Sequence, residues 1–285
     1  MKKIAKSKSQ MKEKIQVTGK ELRYNISIEN EFKRGLARLI KKMSIYTRKR
    51  VLSLYNKGFS KAYFAMDDTI GSQARMLFNE IEIILQNIFN TKGMDLFHRM
   101  LRDVNKYSYY TVKSSIKSME MEKMPFSIGR MGADLAEKMK AITQINADLI
   151  KSIPKQYMND IQGSVMRSII SGEGLKELTP YFSKYEEISE RRAKNLALDQ
   201  TRKAYNMLNE SRMKDAKIKK FKWIHSGGGK KPRKSHQKIS GEIFTFENII
   251  QEQIDLHVPT DDQGIPGTAI NCKCTMTPIL DIKID

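Results

Sequence analysis

Cysteine is nearly absent from this chain, with two in 285 residues. Two cysteines make no disulfide framework, which excludes the small secreted scaffolds that rely on one. Tryptophan occurs once and histidine four times. No apolar run approaches the roughly 18 to 20 residues of a membrane span, so no membrane partner is expected. The first ten residues, Met1 to Gln10, are charged, but no apolar segment follows them. They do not read as a secretory signal, and synthesis in a cytoplasm is expected. Acidic residues are also scarce, 32 against 52 Lys and Arg, for a net charge of +20. With 40% hydrophobic residues, the chain can bury a core, and wholesale disorder is excluded.

The basic excess is uneven. Residues 1–60 carry 17 Lys/Arg against 4 Asp/Glu, residues 61–208 carry 22 against 18, residues 209–241 carry 11 against 2, and residues 242–285 carry 2 against 8. Two basic segments flanking a nearly neutral middle suggest a polyanionic partner, nucleic acid before an anionic membrane surface. A solvated lysine-rich surface is the other reading. Lys outnumbers Arg and is spread along helical sequence, which favours contact with the phosphate backbone over base readout.

Residues 1–30 read as a mobile basic arm. From Glu31 an apolar face recurs at steps of three and four: Phe32, Leu36, Leu39/Ile40, Met43, Val51. Off that face lie Lys33, Arg34, Arg38, Lys41, Lys42, Arg48, Lys49 and Arg50, which with Lys219, Lys220, Lys230 and Lys231 are the candidate DNA-contacting residues. Lys57-Gly58 reads as the end of this helix. A second helix starts at Asp67-Asp68 and stops at Thr91-Lys92-Gly93, and a third spans Met94–Lys123. A fourth stops before Pro154, and a fifth runs from Gln156 to Ile170. A short helix surrounds Pro180, and a long one starts at Ser189-Glu190 with Arg191, Arg192, Lys194, Arg202, Lys203 and Arg212 on its exposed side. Beyond Ile218 the period changes. Strands are expected around Phe221–Ile224, Glu242–Phe246 and Thr275–Ile279. The fold class is therefore α+β: a mainly helical domain over 31–150, then a small helix-led module over 151–285. In that module helices fill 156–217 and a strand and loop unit fills 218–285.

The scarce residues are concentrated in this last unit. Trp223, His225, His236, His257, Cys272 and Cys274 all fall within some fifty residues. The ordered pieces are a basic helix A-L-D-Q-T-R-K-A-Y-N-M-L-N-E-S-R, Trp223 on a strand, Arg233-x-x-His236, Gly241 with Phe244, Pro266, and Asn271-Cys272-Lys273-Cys274. In this order they resemble the phage Mu F-like head morphogenesis family, minor capsid proteins of tailed bacteriophages, over roughly residues 150–280. Two departures stand out. Asp199-Gln200-Thr201-Arg202 replaces the family's more usual arginine, threonine and acid, and the turn Ser226–Lys231 lacks an aspartate common there. The resemblance implies a virion protein held in few copies inside the capsid. Its implied partners are the portal protein, major capsid or scaffold proteins, and double-stranded DNA, and its implied origin is a bacterial host cytoplasm.

Arg233, His236, Gly241, Asn271, Cys272 and Cys274 form the candidate structural cluster, expected as neighbours in space. Three readings of its chemistry stand side by side. The cysteines pack as small apolar groups with His236 bonded to backbone; or His236, Cys272 and Cys274 hold a structural zinc, with His225 or His257 as a fourth ligand; or the cluster is a nuclease or toxin-like metal centre with Asp255, Asp261 and Asp262. Against a metal, residues i and i+2 of a strand lie about 6.6 Å apart, too far for easy co-ligation without a turn. Against an enzyme, the chain has no H-E-x-x-H, G-x-S-x-G or Walker loop. No catalytic residue and no cofactor beyond that zinc are expected.

Overall fold

The computed structural model of the chain describes residues 14–56, 68–119, 133–171, 175–228 and 231–283. Its elements run β1 (Lys14–Thr18), α1 (Ile26–Asn56), α2 (Asp68–Ile88), α3 (Met94–Lys117), α4 (Ala133–Ser171), α5 (Leu175–Asp215), β2 (Lys220–Ile224), α6 (Lys234–Lys238), β3 (Ile243–Thr245), α7 (Ile249–Asp255) and β4 (Thr275–Lys283). A long helical sequence thus precedes a small module that contains strands, the α+β order expected. The described residues fall into two compact units, one within 24–107 and 133–208, the other within 1–23, 108–132 and 209–285. The boundary expected at residue 150 lies inside the unbroken helix α4. The expected basic arm is likewise structured from Lys14 onward, as strand β1 and the start of α1. The helix end read at Lys57-Gly58 lies outside the described residues.

In the helical unit, α1 buries Phe32, Leu36, Leu39, Ile40, Met43 and Val51, the face given by their spacing. Helix α2 buries Ala74, Phe78, Ile81 and Leu85, and packs on α1 and α4. The stop expected at Thr91-Lys92-Gly93 is not a stop. Phe89–Gly93 is a π-helical turn with α-helical backbone on both sides, carrying α2 straight into α3. A Cβ on Gly93 would stand 2.8 Å from Ile150 Cγ2, and Ile150 is fully buried. Glycine is there to let α4 approach, not to end a helix.

Pro154 likewise fails to break α4. Proline removes one intrahelical hydrogen bond and costs about 3 kcal/mol in a helix interior. Ile150, Ile153, Tyr157, Met158 and Ile161 on the surrounding turns are all buried, each worth about 1.5–3 kcal/mol, so packing outweighs the break. Nearby carbonyls also find side-chain donors: Ser152 Oγ donates to Leu149 O at 2.6 Å and Gln86 Nε2 to Lys151 O at 3.4 Å. Pro180 sits inside α5 in the same way, and Ser189, expected as a helix start, is buried within it.

The other unit is built on an antiparallel sheet of order β1-β4-β2-β3. Its centre is β4, paired with β1 from Ile279 to Lys283 and with β2 from Thr275 to Ile279. Phe221 lies opposite Phe244, and Trp223 opposite Met276; all four are buried. Strand β1 was not legible, because its Ile15 and Val17 alternate inside a lysine-rich stretch. After Thr18 the chain continues along β4 with one residue extra: Thr18 faces Ile279, yet Leu22 faces Met276. Pro278 lies at this bulge, its carbonyl accepting from Gly19 N–H at 2.9 Å. The nitrogen of a strand residue points the same way as its carbonyl, so the missing proline donor falls where the ladder is already interrupted.

Replacing Gly93 by Ala should lower the unfolding free energy by about 1–3 kcal/mol through overpacking against Ile150, despite alanine's helix preference of about 1 kcal/mol. At Gly35 the added Cβ meets Leu96 Cδ2, the tip of a half-buried side chain that can rotate away. Gly35→Ala should be close to neutral. Urea denaturation of both variants checks the difference, and equal losses would contradict the packing argument.

Candidate functional site

Helix α6 is a single short turn-rich segment that presents His236 inward, 2% exposed, while Lys234 and Lys238 on the same helix stay in solvent. The chain returns to this helix just before β4. Asn271 adopts a left-handed conformation, φ 57°, which asparagine tolerates better than most residues. The Cys272 N–H then closes a turn onto Ala269 O at 3.0 Å. Cys272 therefore closes a turn and Cys274 lies in the irregular chain just before β4, so neither is in a strand. This removes the distance that made the C-x-C pair awkward, and both are buried, 2% and 3% exposed.

The expected neighbourhood of His236, Cys272 and Cys274 is present. His236 Nδ1 lies 3.6 Å from each sulfur, and the donor atoms of all three residues lie within 4.8 Å of one another. The other ring nitrogen, Nε2, donates to the backbone carbonyl of Asp262 at 2.9 Å. A carbonyl only accepts, so Nε2 carries a proton and Nδ1 is the atom offered to the sulfurs. Asp262 is itself held by two neighbours of His236: Arg233 Nε pairs with Oδ1 at 2.6 Å and Ser235 Oγ donates to Oδ2 at 2.6 Å. Arg233 also reaches the Ile270 carbonyl at 2.9 Å, tying α6 to the turn that carries the cysteines. The Cys274 N–H points at Cys272 Sγ at 3.4 Å.

Trp223 closes the site, its ring edge-on to the His236 imidazole with centroids 4.9 Å apart. Its buried indole N–H has no conventional hydrogen-bond partner and approaches the Cys274 sulfur. Gly241, φ 97°, donates to the Trp223 carbonyl at 2.8 Å, a conformation that explains glycine there. Burial pulls the His236 imidazole down, but hydrogen bonds to Cys272 and the Asp262 carbonyl and adjacent negative charge hold it above its ordinary value. The Cys274 hydrogen bond, outweighing burial and aided by His236, pushes the Cys272 thiol well down. Its partner Cys274 is driven up by that same hydrogen bond, by burial and by the Cys272 charge.

The residues proposed as a fourth ligand are not brought in. Among the described residues the group comprises His236, Cys272 and Cys274 alone. His225 Nδ1 accepts from Gly227 N–H at 3.1 Å, and His257 is exposed. The sequence marks Asp262 only as a metal-binding acid, and its carbonyl role has no signal in the spacing.

Of the DNA candidates on α1, Arg34, Arg38, Lys41, Lys42, Arg48 and Lys49 are exposed, Lys33 is half-buried, and Arg50 pairs with Glu80. In the other unit, Lys219 and Lys231 are exposed, Lys220 pairs with Asp281 at 2.8 Å, and Lys230 lies outside the described residues. Lys219 lines an open depression with Lys214, Lys217, Ile218, Phe246 and Glu247. Two cations read as exposed on α5 are buried instead. Arg202 pairs with Glu29 at 2.9 Å and lies over the Tyr24 ring, and Arg212 Nε donates to Ser108 Oγ at 3.2 Å.

Residues 159–277 match the family model described as Phage Mu protein F like protein. An uncharacterized protein of Haemophilus influenzae (strain ATCC 51907 / DSM 11121 / KW20 / Rd) is 28% identical over 221 residues, covering 76% of this chain and 47% of its own length. The uncharacterized protein YqbB of Bacillus subtilis (strain 168) is 21% identical over 259 residues, covering 89% of this chain and 79% of its own. The chain thus spans about half the length of the first of these relatives. No solved structure matches. From the last third of α4 to the first residues of β4, this chain is similar to the Phage Mu protein F like family.

Proposed function

We propose that the chain is a minor head protein of a tailed bacteriophage, held near the portal inside the capsid and touching packaged double-stranded DNA through its phosphates. The observation that carries this reading is the family match over residues 159–277. The charge of +20 supports it, because a protein enclosed with packaged DNA meets a dense polyanion. Helix α1 supplies a surface of the right kind. At about 100° per residue, Arg34, Arg38, Lys41, Lys42, Arg48 and Lys49 share a sector of about 120°, over about 22 Å of helix. None of the six forms an ion pair among the described residues. Nothing in this stripe selects bases, so sequence-independent binding follows.

The competing reading is a metal-dependent nuclease or toxin-like enzyme built on His236, Cys272 and Cys274. Their burial weighs against it. Catalytic metal chemistry needs a coordination position that substrate or reacting water reaches, and these three side chains are 2–3% exposed. No helix among the described residues is long and apolar enough to cross a membrane, so the basic stripe is not the flank of a helical membrane anchor there.

Three outcomes are expected. The chain should co-purify with the portal protein of the same phage when the two are co-expressed, and a reproducible failure to do so would remove the portal assignment. Binding to linear duplex DNA should weaken linearly in log K against log salt. Replacing Arg34, Arg38, Lys41 and Arg48 by Gln should reduce the slope by about 0.9 for each phosphate no longer neutralised. Absence of binding at low salt would leave the charge as surface solvation only. Incubation with plasmid and magnesium or zinc should give no cleavage; cleavage abolished in His236→Ala would favour the enzyme reading.

A further inference from the structure

We propose that His236, Cys272 and Cys274 bind one zinc ion, a structural centre that locks α6 to the turn before β4. Such a centre follows from geometry and charge, and it stands whether or not the chain sits at the portal.

The two nitrogen-to-sulfur distances are equal, 3.6 Å each. An imidazole nitrogen has one lone pair or one proton, directed along a single axis. A hydrogen bond would aim that axis at one sulfur. The equal distances single out neither sulfur, as for three ligand atoms around one shared metal. The distance itself agrees: Zn–S of about 2.3 Å and Zn–N of about 2.0–2.1 Å at a tetrahedral angle separate the two ligand atoms by roughly 3.6 Å. All three donor atoms lie within 4.8 Å of one another, wide enough for the slightly longer sulfur–sulfur edge of the same tetrahedron.

The surrounding bonds are those a zinc ligand set requires. A metal-ligating histidine donates its other ring N–H to a carbonyl or carboxylate, which fixes the tautomer. His236 Nε2 does this to the Asp262 carbonyl, and Arg233 and Ser235 hold Asp262 in place. The Cys274 N–H directed at Cys272 Sγ supplies a donor to thiolate sulfur.

Charge selects a divalent ion. Two thiolates are a costly pair to bury. Two thiolates, a neutral imidazole and Zn²⁺ sum to zero, whereas a monovalent soft cation would leave a buried negative charge. Thiolate and imidazole are also ligand types that zinc prefers over the hard oxygen ligands of magnesium or calcium. No other His, Cys, Asp or Glu among the described residues joins the set, so these three side chains are the protein's ligands to the ion. The reach between the ligands explains the structural benefit. Among the described residues from Gly227 to Gly241, only His236 and Ile239 are buried, too few to hold the segment by apolar packing.

The test is metal analysis of the full chain purified from zinc-replete cells without a histidine tag. One zinc per folded chain is expected, released by a mercurial thiol reagent, and replacement by cobalt should give thiolate-to-cobalt charge-transfer absorption and a tetrahedral visible spectrum. Cys272→Ala and Cys274→Ala should abolish both signals, and His257→Ala should keep them. Because the cysteine variants can misfold, Arg233→Gln serves as the positioning variant: it should remain folded by circular dichroism and bind zinc about 10–100-fold more weakly. A folded wild-type chain that holds no zinc after zinc dialysis and gives no cobalt charge transfer overturns the proposal. So does zinc retained at full stoichiometry by both cysteine variants.

Discussion

The hydrogen bond from His236 Nε2 to the Asp262 carbonyl is the contact on which the C-terminal unit depends. It allows one neutral tautomer, turns Nδ1 toward the cysteines, and joins a short helix to a loop that has little apolar surface of its own. Arg233 and Ser235 reinforce the same loop from the same turn of chain. The R-x-x-H spacing thereby acquires a physical meaning. A residue three positions before the histidine grips the side chain of the residue whose backbone the histidine grips.

Much of the helical sequence was legible because its apolar spacing is regular. The face of α1 came out as its periodicity implied. What misled were the two residues whose meaning depends on a partner distant in sequence. Gly93 reads as a terminator, yet it is a gap cut for Ile150. Pro154 reads as a break, yet its turns are buried on the inside of a long helix. Propensity is a local quantity, and tertiary packing of several kcal/mol overrides it. The grouping of His236 with both cysteines was legible from the scarcity and order of those residues. Asp262 was not, because a backbone carbonyl leaves no mark on composition.

Arg202 is a third case. Its placement in a charged, polar run suggests a solvent-facing helix surface. Instead Asp199, Gln200, Thr201 and Arg202 are all buried. Gln200 accepts from Asn146 at 3.1 Å, Arg202 pairs with Glu29, and Lys203 pairs with Asp199 at 2.9 Å. Burying an ion pair gives little net stability, since desolvation offsets the attraction. Its geometry is demanding, however, and only one alignment of α1 with α5 satisfies Glu29 and Arg202 together. Here the departure from the family's usual residues is absorbed by the interior of the helical unit and not by the site around His236.

Strand β1 pairs with β4, so residues near the two ends of the described chain are hydrogen-bonded neighbours, Lys14 with Lys283. During synthesis the first strand leaves the ribosome long before its partner exists. It must wait, unpaired and highly charged, while every helix between is made. The lysines around it keep this waiting edge from recruiting strands of other nascent chains. Among the described residues the central strand of the sheet is also the last to emerge, so this unit closes only once β4 has been made. A product that stops before β4 would therefore present helices but no completed sheet, and any partner that recognises the sheet would be matched only to chains that include β4.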